Sequence, residues 1–337
     1  MTNGARDDAR WLAAAASVAA RGRPRSRPNP AVGAIIVHVG RVVGRGWTGS
    51  GGRPHAEAAA LAAAGPAAKG ATLYVTLEPC AHESPRGPAC ATLVADSGLA
   101  RVVIGCGDPD ARTAGKGLEA IRAVGIEARL VHSPEAAASL AGYLMLRRKG
   151  RPEVTLKLAT SLDGCIALAD GTSRWITGEA ARAHGHAMRA QADAILIGGG
   201  TLRADAPRLD VRLAGLGHRN PARWVLTRGA VPNGWRALAS PGAIHEMEGV
   251  QYLYVEGGAG AASAFLAADL VDRLLIYRAP IVIGGGRASI GDIGLASLDA
   301  GHRRWRMTDR RQLGSDTLEV YERQAPQAQQ ETLCLPE

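Results

Sequence analysis

The sequence predicts two α/β domains in tandem, on three observations. Its 337 residues exceed one average domain and suffice for two, each able to bury its own core. Short β-rich runs alternate with helical stretches through both halves. The alternation breaks once, at Lys149-Gly-Arg-Pro152, a charged stretch marked by glycine and proline that fits a linker. The expected domains are therefore 1–149 and 152–323. Residues 324–337, opening with Gln324-Ala-Pro-Gln-Ala-Gln-Gln-Glu331, are low in apolar content and read as a disordered tail.

Each element follows in chain order. An alanine-rich helix over Ala9–Arg21 is closed by a proline-punctuated loop. Val32–Val37 and Arg41–Gly44 flank Val39-Gly40 and read as a hairpin, with a helix at Ala56–Ala64 behind it. Ala71–Leu77 and Arg101–Gly105 are strands by length and β-propensity, separated by a helix over Ala89–Ser97 and followed by one over Gly117–Val124. That order predicts a three-layer α/β/α domain. The second half restarts with a strand at Val154–Ala159 and repeats the signal at Ala194–Ile197, Arg223–Leu226, Gln251–Val255 and Arg273–Tyr277. Glycine triplets at Gly198–Gly200 and Gly284–Gly286 lie directly after apolar strands.

Composition narrows the function classes. Apolar residues make up 46% of the chain, but alanine dominates them and Phe265 is the single phenylalanine, so the cores must be aliphatic. The formal charge of +9 invites a nucleic-acid partner. Its arginines, however, concentrate in Arg21–Arg27 and at Arg303, Arg304, Arg310 and Arg311, without an interleaved aromatic stripe. Solvated surface and phosphate pockets explain the balance better, and no nucleic-acid partner is expected. Five cysteines in a chain of this length do not form a disulfide framework and suit a reducing cytoplasm. The first ten residues are polar and charged, and no apolar run approaches the roughly 20 residues a membrane helix needs. Neither export nor a membrane partner is expected.

One constellation carries chemistry. His55-Ala-Glu57 opens a helix after Pro54; Pro79-Cys80 follows a strand; Cys90 opens the next helix. Helix N-termini stabilise thiolates, and a His plus two Cys leave zinc an open position, as a catalytic site requires. Zinc makes water a nucleophile near neutral pH. Glu57, two residues from His55, reaches that water without being a ligand and serves as the catalytic proton carrier. The order matches the zinc-deaminase signature H-x-E followed by P-C-x-x-C in all but the last spacing, because nine residues separate Cys80 from Cys90. Isolated cysteines are mostly core fillers, and that reading is kept for Cys106, Cys165 and Cys334.

The wider motif set resembles the bifunctional riboflavin-biosynthesis deaminase/reductase family. The N-terminal matches are Pro28-Asn-Pro-Ala-Val-Gly33, His55-Ala-Glu57, Leu77-Glu-Pro-Cys-Ala-His82, Gly107-Asp-Pro109 and Ala114-Gly-Lys-Gly117. The second half matches at Leu156–Gly164, Ser173–Thr177, Thr201–Pro207 and Glu256-Gly-Gly258. The resemblance implies a cytidine-deaminase-like domain that deaminates a phosphoribosylamino-pyrimidine. It also implies a dihydrofolate-reductase-like domain that uses NADPH to reduce the ribosyl group to ribityl, in a homodimer or larger oligomer. It places Ala159, Trp175, Thr201, Asp205 and the loop Gly258, Ala259, Gly260, Ala261, Ala262, Ser263 and Ala264 on cofactor positions. Substrate positions are Ser173, Arg189, Leu209, Arg212 and Glu256 in the second half, with Asn29, His82 and Arg86 in the first. Gly257-Gly258 before a helix suits backbone binding of a phosphate, and Arg189 and Arg212 together suit a ribose phosphate.

Three departures accompany the resemblance. The loop between Cys80 and Cys90 is one residue longer than the family pattern, Thr227-Arg228 replaces an aspartate-serine pair, and Ala237–Val250 is shortened. Two competing readings follow from them and from the charge. One is a tRNA or single-stranded nucleic-acid deaminase with an accessory domain. The other is a deaminase whose second domain only binds.

Overall fold

The structure is a computed structural model and describes residues 3–324, so the expected tail, apart from Gln324, and Cys334 lie outside the described residues. The chain divides into two compact units between Gly150 and Arg151.

The first unit is a five-stranded sheet with helices on both faces. Its strands are β1 (Gly33–His38), β2 (Arg41–Trp47), β3 (Thr72–Val75), β4 (Arg101–Ile104) and β5 (Glu127–Leu130), in the order β2-β1-β3-β4-β5. The hairpin strands are antiparallel, and β3, β4 and β5 run parallel. Its helices are α1 (Asn3–Ala19), α2 (Ala56–Ala64), α3 (Cys90–Ala95), α4 (Lys116–Ala123), α5 (Pro134–Ser139) and α6 (Ala141–Lys149). Alternation along β1 separates the two cores. Ile35 and Val37 pack with Leu12 and Ala15 of α1, whereas Ala34 and Ile36 pack with Ala56 and Ala60 of α2.

The alanine bias now has a structural cause. A Cβ added at Gly44 or Gly46 of β2 would stand 2.3 Å from the backbone oxygen of Ala60 or Ala56. Strand and helix backbones are therefore in direct contact, which only glycine facing alanine permits. On the opposite face, Arg101 of β4 forks onto Asp8 of α1 at 2.8 and 2.7 Å. The guanidinium holds the Asp8 carboxyl below the usual range although burial opposes it.

The second unit is built on an eight-stranded sheet. Its strands are β6 (Glu153–Thr160), β7 (Cys165–Ala167), β8 (Ala194–Gly198), β9 (Ala222–Leu226), β10 (Trp235–Leu238), β11 (Tyr252–Val255), β12 (Arg273–Arg278), β13 (Arg287–Ala288), β14 (Trp305–Leu313) and β15 (Asp316–Arg323). The large sheet has the order β10-β9-β8-β11-β6-β12-β15-β14, with β7 and β13 forming a separate ribbon. The run from β10 to β12 is parallel, and β15 and β14 close it antiparallel. Helices α7 (Glu179–Arg189), α8 (Gly199–Asp205), α9 (Ala259–Ala267) and α10 (Leu298–Gly301) complete it. Leu156, Leu253 and Leu196 pack with Phe265 of α9, and Ile195, Tyr254 and Leu275 pack with Ala181 of α7. The single phenylalanine is fully buried, as an otherwise aliphatic core demands.

Two expectations need correction. The triplet Gly284–Gly286 does not follow a strand; β12 ends at Arg278, and the exposed Ile281 and Val282 lie in irregular chain. The expected loop at Gly258–Ala264 is helical from Ala259 onward, with Gly258 as its N-cap. No helix among the described residues is long and apolar enough to cross a membrane.

Candidate functional site

Two helix starts and one strand end bring the zinc constellation together. His55 is the N-cap of α2, Cys90 is the first residue of α3, and Cys80 lies just beyond β3. One donor atom from each of the three lies within 4.8 Å of the other two. His55 Nδ1 stands 3.1 Å from Cys90 Sγ and 3.6 Å from Cys80 Sγ. Tetrahedral zinc, with bonds of about 2.3 Å to sulfur and about 2.0 Å to nitrogen, requires donors about 3.6 Å apart. The set fits that ion with little movement. The Cys90 backbone N–H donates to Cys80 Sγ at 3.3 Å, so the start of α3 stabilises the sulfur directly. Hydrogen bonds from Cys90 and His55 pull the Cys80 thiol well down, while the shared proton and burial push the Cys90 thiol up. A dication entering the set releases that proton. On the far edge of the imidazole, the Asn29 amide lies 3.0 Å from Nε2 and fixes the ring.

Glu57, on the first turn of α2, is only 3% exposed beside these donors. Burial pushes its carboxyl up to about 7, close to the pH at which a proton carrier works best. It faces a cavity of about 680 Å³ whose walls include Asn29, His82 and Arg86 as well as His55 and Cys80. His82 Nδ1 lies 3.4 Å from Thr113 Oγ1.

Sequence reasoning missed several residues here. The buried Glu78 carboxylate accepts from the backbone N–H groups of Gly115, Gly117, Leu118 and Asp108 at 3.0 to 3.3 Å. It thereby ties the Pro79-Cys80 turn to the start of α4. The signal available in sequence was an acid immediately before Pro79-Cys80 paired with a glycine-rich helix start at Gly115-Lys-Gly117. Arg53, Arg112 and Arg147 also line the cavity, and no spacing rule announces them.

The second unit gathers a looser set. At the end of β11, Glu256 receives a two-pronged fork from Arg189, whose Nη2 lies at 2.8 Å, with Lys157 Nζ 4.0 Å away. Arg189 Nη1 donates to the Asp210 carbonyl at 3.0 Å. Of the two arginines expected on a phosphate, Arg189 pairs with Glu256, and Arg212 lies at the exposed surface with Asp210 at 2.8 Å. Lys157 was not singled out from sequence.

Gly258 sits at φ +57°, ψ 152°, a conformation nearly reserved for glycine. A Cβ there would stand 2.5 Å from Thr201 Oγ1. The glycine thus lets Thr201 close against the start of α9, whose first-turn N–H groups lack helical acceptors. These features fit the phosphate of a dinucleotide. Among the other predicted positions, Ala261 and Ala262 are buried side chains of α9, Leu209 is buried, and Ala159 pairs with Tyr277 across β6 and β12. Trp175 is 66% exposed beneath the Arg182 guanidinium. Asp205 ends α8 at the surface, and Ser173 is half-buried.

The folds and the His-Cys-Cys set define a zinc deaminase joined to a reductase, and comparison with known proteins bears this out. Residues 5–106 match the cytidine and deoxycytidylate deaminase zinc-binding region, and residues 152–238 and 243–318 match the RibD C-terminal domain. The chain is 39% identical to the riboflavin biosynthesis protein RibD of Mycobacterium tuberculosis, covering 93% of this chain and 96% of that one. It is 35% identical to RibD of Aquifex aeolicus, over 87% and 92% of the two chains. The solved structure of Acinetobacter baumannii RibD superposes with a TM-score of 0.82 at 33% identity, covering 96% of this chain and 100% of that one. A Thermotoga maritima diaminohydroxyphosphoribosylaminopyrimidine deaminase/5-amino-6-(5-phosphoribosylamino)uracil reductase gives 0.83 at 30% identity, over 95% and 100%. The chain belongs to the RibD family of riboflavin biosynthesis proteins. Its cofactors are zinc and NADPH.

Proposed function

We propose that His55, Cys80 and Cys90 hold the zinc and that Glu57 moves the proton in the deaminase half of a bifunctional riboflavin-biosynthesis enzyme. That enzyme removes the amino group of 2,5-diamino-6-(5-phosphoribosylamino)pyrimidin-4-one and then reduces the ribosyl group to ribityl with NADPH. The observation that carries the residue assignment is the convergence of three donor atoms within 4.8 Å beside a buried carboxylate in a cavity of about 680 Å³. Zinc supplies the Lewis acidity that makes water nucleophilic near neutral pH. Glu57 accepts the proton of the attacking water and delivers it to the departing amine, and burial keeps both of its protonation states accessible. Asn29, which also orients His55, grips the substrate from the wall together with His82 and Arg86.

In the reductase half, the backbone at Gly258–Ala264 with Thr201 holds the NADPH phosphates, and Ala159, Trp175 and Asp205 border the cofactor. NADPH supplies the hydride, so these residues only position it. Ser173, Arg189, Leu209, Arg212 and Glu256 border the substrate, with the Arg189 and Arg212 guanidiniums on the side of its phosphate and Glu256 held by Arg189. The activities are assigned to residues 1–149 and 152–323, in a homo-oligomer of the reducing cytoplasm, where free thiol ligands persist. The test is a coupled assay on the phosphorylated pyrimidine that reads ammonia release and NADPH loss separately. Both signals are expected. Ammonia without NADPH loss would remove the reductase assignment, and NADPH loss with the deaminated intermediate alone would remove the deaminase one.

A further inference from the structure

We propose that Arg53 determines specificity in the deaminase cavity by receiving the phosphate of the substrate. The inference rests on the deaminase reading above. Four arginines border the cavity, and their charges are not equally free. Arg112, at 2.6 Å, and Arg147 both pair with Asp110, and Asp108 on the same side accepts from the Tyr143 hydroxyl at 2.7 Å. Two cations there face two carboxylates, so that side presents no net charge to a ligand.

Arg53 and Arg86 differ. Arg53 Nη2 donates to Ser84 Oγ at 3.0 Å, and Arg86 Nη2 donates to the Gly51 carbonyl at 2.6 Å. Both acceptors are neutral, and among the described residues neither arginine makes an ion pair with a carboxylate. Glu83, three residues before Arg86, is exposed, and Glu57, four residues after Arg53, lines the cavity; among the described residues neither pairs with these arginines. The two guanidiniums leave a local surplus of positive charge beside the metal donors.

Of the two, Arg53 is the better fixed. It immediately precedes Pro54-His55 and is half-buried, whereas Arg86 is exposed. Its Nη1 lies 3.1 Å from where a Cβ on Gly87 would be, so the loop between the cysteines closes on it. A planar, permanently charged donor fork held in a cavity wall matches a phosphate oxygen pair, and the pyrimidine ring offers no anion to match it.

The experiment uses the zinc-loaded full chain and measures deamination of the phosphorylated pyrimidine and of its dephosphorylated counterpart. Arg53→Gln keeps a hydrogen-bond donor for Ser84 and removes the charge; Arg53→Lys keeps the charge without the fork. For Arg53→Gln, kcat/KM for the phosphorylated compound is expected to fall about tenfold to hundredfold while the dephosphorylated one changes less than about twofold. Competitive inhibition by inorganic phosphate should weaken in parallel, and Arg53→Lys should recover part of the loss. An equal fall for both compounds would make Arg53 a brace of the loop and overturn the proposal, as would an unchanged preference. Wild-type protein that releases no ammonia from either compound would remove the deaminase reading itself.

Discussion

The two halves of this chain solve catalysis with different materials. The deaminase half uses side chains: four residues from two helix starts and the turn after β3 converge at one cavity. The cradle proposed for the reductase half uses backbone: a glycine in a conformation nearly reserved for glycine opens α9, against the Thr201 side chain. A hydrolytic step must place a metal and a proton carrier within an ångström, whereas hydride transfer is the cofactor's chemistry and needs only a cradle. The difference predicts that side-chain changes cripple the first half and that backbone changes cripple the second.

The sharpest way to break this contrast is Cys80→Ser. An alcohol is a poor zinc ligand, so metal content should fall to zero by elemental analysis and ammonia release to background, with NADPH oxidation on the deaminated intermediate preserved. Glu57→Gln should keep full zinc occupancy and lose deamination by about 10²- to 10⁴-fold, because an amide cannot carry the proton. Substantial turnover in that variant would take Glu57 out of its role. On the other side, Gly258→Val drives a side chain into Thr201 Oγ1 and off a backbone region reserved for glycine. A cost on the order of 1–3 kcal/mol should raise KM for NADPH about tenfold or more and leave ammonia release unchanged.

The same contrast explains what the sequence made legible. Side chains suited to hold a metal or carry a proton advertise themselves by type and spacing, so the grouping of His55, Cys80 and Cys90 with Glu57 beside them was readable although nine residues separate the cysteines. Helix α2 and the central parallel strands β3, β4, β6, β8, β11 and β12 were readable from apolar runs, whereas the outer parallel strands β5 and β10, partly exposed and carrying charge, were not. The β14–β15 hairpin was not, because Trp305–Leu313 is mostly exposed and strongly charged, so its strand character comes from pairing along β15. Nor was the role of Glu78, whose partners at 115–118 are joined to it only by tertiary structure. Arg189 shows the same limit: its fork goes to Glu256, 67 positions away, and no local pattern distinguishes that from a phosphate contact.

The smallest expected effect tests whether the reductase cradle tolerates side-chain change. Thr227 follows β9 and lies beside the turn into α8: a Cβ on Gly199 would stand 3.6 Å from Thr227 Cβ. Its backbone N–H donates to the Leu238 carbonyl at 2.9 Å, and its hydroxyl accepts from the Gly229 N–H at 3.1 Å. Thr227→Asp restores an acid at this position. The carboxylate can accept the same N–H bond, so the backbone has no reason to move. What changes is a charge at a solvent-screened edge, worth at most about 1 kcal/mol. KM for NADPH should shift by no more than about fivefold in either direction, with kcat unaltered. A change of two orders of magnitude would mean that a side chain governs this cradle, and that the division between the two halves is wrong.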